Sequence, residues 1–282
     1  MRSSADARPT VAVVGHVEWL AAARVDAAPR PGAILHAPRC REEPAGGGGV
    51  AAVELARLAG HATLFTALGS DEVGQGIPYA MARHSVTVVG ATVPGPHRRA
   101  WTLLDPDHER TIVVIGEAQC ADRIDPALLA EIDGIYLCKG TVRAARAARA
   151  ARVLVATARM LPVLREAGVR LDALVRSAAD PAESYRDGDL LPRPTLVATT
   201  EGALGGHYRL ASGEEGRWSA APLPGAPRDA YGCGDSFAAG LTYALAAGLD
   251  AAAACALGAD SGALALTRDG AHGSGQGLRA TT

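Results

Sequence analysis

The chain has 282 residues, 48% of them apolar, enough to bury a sizeable core in one large α/β domain or two small ones. A net charge of −2 and only 4% aromatic residues exclude the basic field and the stacking platforms of a nucleic-acid binder. Cys40, Cys120, Cys138, Cys233 and Cys255 are odd in number and form no Cys-x-x-Cys pair, which fits a reducing cytoplasm rather than a disulfide framework, and the histidines show no metal-ligand spacing.

Taken in order, Met1–Pro9 is polar and lacks the apolar core of a signal peptide, so a cytoplasmic location is expected. Val11–Val14 reads as a buried first strand ending at Gly15. His16–Leu20 and Ala33–Ala37 read as short strands around a Pro29-Arg-Pro-Gly turn. Gly46–Gly49 leads into a helix from Val50, and it matches neither a Walker A loop nor a dinucleotide fingerprint. Ala62–Thr66 is the next strand, and Asp71 is a helix cap. Val86–Val93 and Arg99–Leu104 are strands, and Thr111–Ile115 pairs with the latter across Asp105-Pro-Asp-His. Arg99 and Arg110 are either ligands for an acidic substrate or plain strand-face arginines.

From Asp125 helix and strand patterns alternate over Pro126–Ile132, Ile135–Cys138, Val142–Ala150, Val153–Ala156, Arg159–Ala167 and Ala173–Arg176, the signature of a parallel sheet. Arg143, Arg146, Arg149 and Arg152 recur every three residues, a spacing that drifts around a helix and marks a solvated surface. Lys139 follows a strand at a βα turn, where such sheets place ligands. Leu196–Thr200 is another buried strand, followed by a hairpin over Tyr208–Leu210 and Arg217–Ser219. Phe237–Ala259 is broken by Asp250, and its uninterrupted part is shorter than the roughly 18 residues of a membrane span. Two buried helices are predicted instead.

The decisive stretch is Asp229–Gly240, Asp-Ala-Tyr-Gly-Cys-Gly-Asp-Ser-Phe-Ala-Ala-Gly. Phe237, Leu241 and Leu245 repeat at i, i+4 and i+8, which places a helix N-terminus at Gly232–Asp235. A helix start carries unpaired N–H groups and partial positive charge, and Gly232 and Gly234 let a ligand approach them. An aspartate beside such an anion hole can take a proton from an alcohol during phosphoryl transfer. The plainer reading is that Asp235 caps the helix.

This Asp-x-x-Gly-x-Gly-Asp-x-Phe pattern resembles the C-terminal signature of the ribokinase (PfkB-type) carbohydrate kinases. Gly46–Gly49, the Gly-Ser-Asp of residues 69–71, the Arg110-Thr111 pair and Thr200-Glu-Gly-Ala-Leu-Gly are similar to weaker signatures of the same family, in the same order. The resemblance implies one domain over residues 1–282, α/β and doubly wound, with a mostly parallel central sheet flanked by helices and a β lid within 16–40 and 86–116. By that resemblance Asp235 is the base, and Gly232, Cys233 and Gly234 form the anion hole. Thr200, Gly202 and Gly205 approach ATP, while Glu18, Gly47, Gly48, Asp229 and Arg110 meet the substrate. Asp180 holds Mg2+ through water. Several positions depart from the pattern: Cys233 replaces alanine, Leu20 an aspartate, Val50 or Ala51 an asparagine, Ser177 an asparagine, and Ala259 a polar residue. The acceptor implied is a sugar, with a nucleoside or a non-catalytic sugar-binding role as alternatives. A K+ requirement and a homodimer through the lid are further implications of the family.

Overall fold

The computed structural model describes residues 8–106 and 110–273. The start of the polar N-terminal stretch, Met1–Ala7, and Asp107 and His108 of the predicted turn, with Glu109 after it, lie outside the described residues.

Strand β1 (Val11–Val14) is buried along its whole length, as an all-apolar run in the middle of a parallel sheet must be. The chain then leaves this sheet to form β2 (Glu18–Arg24) and β3 (Cys40–Ala45) before returning through α1 (Gly46–Ala59) to β4 (Ala62–Gly69). Helix α2 (Glu72–Ala82) is capped by Asp71, whose side chain accepts from the Gly74 N–H at 3.1 Å, as predicted. A parallel crossover through α2 sets β5 (Val86–Val93) beside β4. Strands β6 (Arg99–Leu104) and β7 (Arg110–Ile115) form the predicted hairpin.

The second half alternates as expected: α3 (Pro126–Ala130), β8 (Gly134–Leu137), α4 (Val142–Ala148), β9 (Val153–Thr157), α5 (Leu161–Ala167), β10 (Ala173–Ser177) and β11 (Leu196–Thr200). The hairpin β12 (Gly206–Leu210) and β13 (Glu215–Trp218) precedes α6 (Cys233–Ala246) and α7 (Ala251–Leu266). The large sheet has the order β13-β12-β11-β10-β9-β8-β1-β4-β5, parallel from β11 to β5 and antiparallel only at the hairpin end. Apolar clusters on both of its faces hold the helices against it.

A smaller sheet, β3-β2-β6-β7, stands apart as a lid. Its composition corrects two expectations. The strand predicted at 33–37 does not form, and β2 pairs instead with β3, which starts at Cys40. Prolines at 29, 31 and 38 deny this segment a continuous ladder, and Ile34 is left 84% exposed. Strand β5, placed within the predicted lid range, is the edge of the large sheet because its apolar partner is β4. The lid hangs from a buried hinge. His97 joins Val17 O through Nε2 and accepts from the Gly69 N–H through Nδ1, each at 3.0 Å.

Two more sequence readings resolve locally. Gly46–Gly49 is no loop but the first turn of α1. The arginine series is a surface feature, with Arg143, Arg149 and Arg152 each paired to a different aspartate, Asp122, Asp172 and Asp133. Among the described residues no helix is long and apolar enough to cross a membrane, and Gly248 (φ 84°) separates α6 from α7.

Candidate functional site

The C-terminal ends of β1, β8, β9, β10 and β11 lie along one edge of the large sheet, the edge where open α/β sheets bind ligands. Helix α6 begins there. Its N-cap is Gly232 in the left-handed region (φ 75°, ψ 7°), a backbone state that glycine adopts without strain. No side chain caps α6, so Asp235, in its first turn, is not spent on the helix's own N–H groups. The cap reading of Asp235 therefore fails.

The Asp235 carboxylate instead faces across the cleft. Tyr136, on β8, donates its phenol O–H to Oδ1 at 3.3 Å. The first turn of α1 runs beside the same oxygen: a Cβ at position 47 would stand 2.9 Å from Oδ1, so any larger residue there would have to displace the carboxylate. Burial pushes the Asp235 carboxyl up to about 6 against the opposing hydrogen bond from Tyr136. Glu183 adds to the rise and Arg159 resists it. A carboxylate with this pKa sits in the range that suits a general base near neutral pH.

Glu18 starts β2 and is buried beside this site. Arg98 Nε donates to its Oε2 at 2.8 Å, and the Tyr231 phenol donates to its Oε1 at 3.2 Å. The Tyr231 oxygen in turn accepts from the Gly46 N–H at 3.0 Å. Leu20 and Val50, at positions the family pattern makes polar, are buried with Ala45, Ala100 and Ala271, and Tyr231 packs on them. Val50 reaches the α6 cap, since a Cβ on Gly232 would lie 2.6 Å from its Cγ1. Sequence reasoning did not single out Tyr231. Its signal was a bulky aromatic between small residues in Asp-x-x-Gly.

The other predicted residues fall into two groups. Asp229 and Arg110 approach one another at 4.0 Å, and Asp229 also accepts from the Tyr231 N–H at 2.9 Å. Thr200, Gly202 and Gly205 stand at the exit of β11, beside the exit of β10. Ser177, the last residue of β10, donates its N–H to Glu183 at 2.6 Å. Arg159 bridges Asp180 and Glu183, with its Nε 2.8 Å from Glu183 Oε1. Glu183 was missed in the sequence because it lies outside the Ser177-x-x-Asp180 spacing. The Lys139 side chain is exposed at the exit of β8 and has no hydrogen bond or ion pair among the described residues.

The sequence model of pfkB family carbohydrate kinases matches residues 8–184 and 189–276. This chain belongs to the pfkB family. A comparison with curated proteins gives no match. Among solved structures, ribokinase from Thermotoga maritima superposes with a TM-score of 0.76 at 18% identity, covering 94% of this chain and 95% of that one. A microbiome-derived acarbose kinase gives 0.78 at 22% identity, covering 95% of each chain. A nucleoside kinase of the ribokinase family from Methanocaldococcus jannaschii gives 0.75 at 16% identity, covering 94% of each. The fold is thus ribokinase-like, with the lid of this pfkB-family chain formed by β3-β2-β6-β7.

Within the pfkB frame, the donor set can be tested for magnesium. Among the described residues there is no group of three or more His, Cys, Asp or Glu able to hold a metal by themselves. Asp180 and Glu183, both held by Arg159, form a carboxylate pair of the size that Mg2+ would need when waters and phosphates complete its shell. The residues fit an ion that arrives with a nucleotide, not a protein-caged one.

Proposed function

We propose that this pfkB-family chain transfers the γ-phosphoryl group of ATP to a hydroxyl of a sugar or sugar-like small molecule, with a nucleoside as the alternative acceptor. The observation that carries the reading is Asp235, a carboxylate raised to about 6 beside the uncapped first turn of α6. The acceptor hydroxyl gives its proton to Asp235, its oxygen forms a bond to the γ-phosphorus, and the bond from that phosphorus to the bridging oxygen breaks to release ADP. Gly232, Cys233 and Gly234 present the backbone amides that stabilise charge on the transferring group. Thr200, Gly202 and Gly205 line the nucleotide side, and Gly47 and Gly48 bring α1 against the acceptor side. Asp180 and Glu183 would hold the magnesium shell, which would supply neutralisation of phosphate charge. Glu18 positions Tyr231 and the start of α1 through the bonds described above. Lid closure excludes water that would otherwise consume ATP.

A non-catalytic sugar-binding role is the second reading, favoured by the apolar cluster of Leu20 and Val50 where the family pattern is polar. ATP consumption against a panel of sugars, sugar phosphates and nucleosides, with Asp235→Asn beside the wild type, separates the two. Acceptor-stimulated turnover that Asp235→Asn abolishes supports the kinase; sugar binding without turnover supports the alternative. The lid also offers a surface for a second copy. Trp101 and Val113 are opposed across β6 and β7 and are 54% and 48% exposed, and sedimentation of Trp101→Lys against the wild type tests that pairing.

A further inference from the structure

The lid strands and the loops flanking α6 and α7 border a half-open cavity of about 390 Å3, within the size range of small-molecule sites. Its charge is lopsided. Arg24, Arg39, Arg41 and Arg228 face it, against Asp229 and Asp269. The two carboxylates are already engaged: Asp269 by Arg228 at 2.8 Å and Arg24 at 3.6 Å, and Asp229 by Arg110 at 4.0 Å. Arg41 donates to the Asp269 backbone oxygen, and Arg39 has no partner among the described residues.

A second observation is independent of charge. Thr102, on β6, also lines the cavity, is only 3% exposed, and its Oγ1 has no hydrogen-bond partner. A buried hydroxyl left unpaired costs about 1–3 kcal/mol, so such groups normally find an acceptor or a donor. Guanidinium forks match the planar oxygens of carboxylate and phosphate.

We propose that this cavity binds the phosphate or carboxylate group of a small molecule. Because its walls come from β2, β3 and β6 on one side and from residues 228–229 and 269–270 on the other, the anion bridges lid and body. The group belongs either to the acceptor itself or to a separate anion. The first source rests on the kinase reading above; binding of the anion does not.

Titration calorimetry of inorganic phosphate into the full chain, without ATP and at ionic strength fixed with sodium chloride, tests it. Saturable binding is expected, weakened about tenfold or more in Arg24→Ser/Arg39→Ser and also reduced in Arg41→Ser. Both arginines are exposed, so the double variant keeps the wild-type melting temperature in phosphate-free buffer. Absent saturable binding, or an affinity untouched by both variants, overturns the proposal; the latter places the phosphate at α6 instead. Turnover then assigns the source. Competitive inhibition by phosphate, with selective loss of a sugar phosphate over its parent sugar in the double variant, identifies the acceptor's own group. A change in kcat without competition identifies a separate anion. If phosphate binds as expected and no acceptor is turned over, the kinase reading fails and the anion site stands.

Discussion

The phenol of Tyr136 donates to Oδ1 of Asp235 at 3.3 Å, so the carboxylate proposed as base is held by a buried side chain from the centre of the sheet. The relationship has kinetic consequences because the bond favours the ionised acid.

Tyr136→Phe removes a bond that lowers the Asp235 pKa, which then rises above its present value of about 6. The acidic limb of the pH–rate profile is expected to move to higher pH, with the alkaline plateau changed less. An unmoved limb in kcat/KM would show that Asp235 is not the titrating group.

Asp235→Asn is expected to lower kcat by about 10²–10⁴ while ATP binding survives. It should also stabilise the fold. Because the folded carboxyl is raised from 3.8 to about 6, its ionisation opposes folding progressively as pH climbs through that window. Above it, the neutral amide gains on the order of 2 kcal/mol over the wild type, and the gain vanishes below about pH 4. Urea denaturation at pH 4 and pH 8 measures the difference.

Arg159 and Glu183 pull the same carboxylate in opposite directions. Arg159→Met should shift the acid limb up and Glu183→Gln should shift it down, each by a few tenths of a unit to about one unit at this screening. Shifts of the same sign in both variants would contradict the assignment.

Glu54, fully buried in α1, is bound by Arg57 at 2.6 Å and Arg268 at 3.0 Å. Burial alone would raise its carboxyl, but the two arginines hold it below the usual range. Glu54→Gln is expected to cost about 1–3 kcal/mol in chemical denaturation, since it leaves the half-buried Arg268 without its carboxylate while the exposed Arg57 returns to water. The wild type keeps this contribution above the ordinary glutamate pKa near 4.3 and loses it as pH falls through the lower folded value, so the gap between the two proteins closes in acid.

By itself the sequence determined the alternating α/β order, the strands β1, β4, β5, β8, β9, β10 and β11, and the α6 N-terminus at Gly232–Asp235. These are local signals: apolar runs, a 3.6-residue period, and glycine beside a helix start. The Gly-x-Gly-Asp spacing left two readings open, an anion hole beside a base or a plain helix cap. Only the tertiary structure decided what surrounds it. That a side chain at position 47 would meet Asp235, that Tyr136 and Glu183 tune it, and that Tyr231 ties Glu18 to α1 depend on side chains far apart in the chain. The lid boundary failed locally because prolines removed one plausible strand and β3 is specified by pairing with β2, not by its own polar sequence. The arginine cavity was invisible for the same reason: Arg24, Arg39, Arg41 and Arg228 share no motif, and only folding the lid over the loop before α6 sets them around one space.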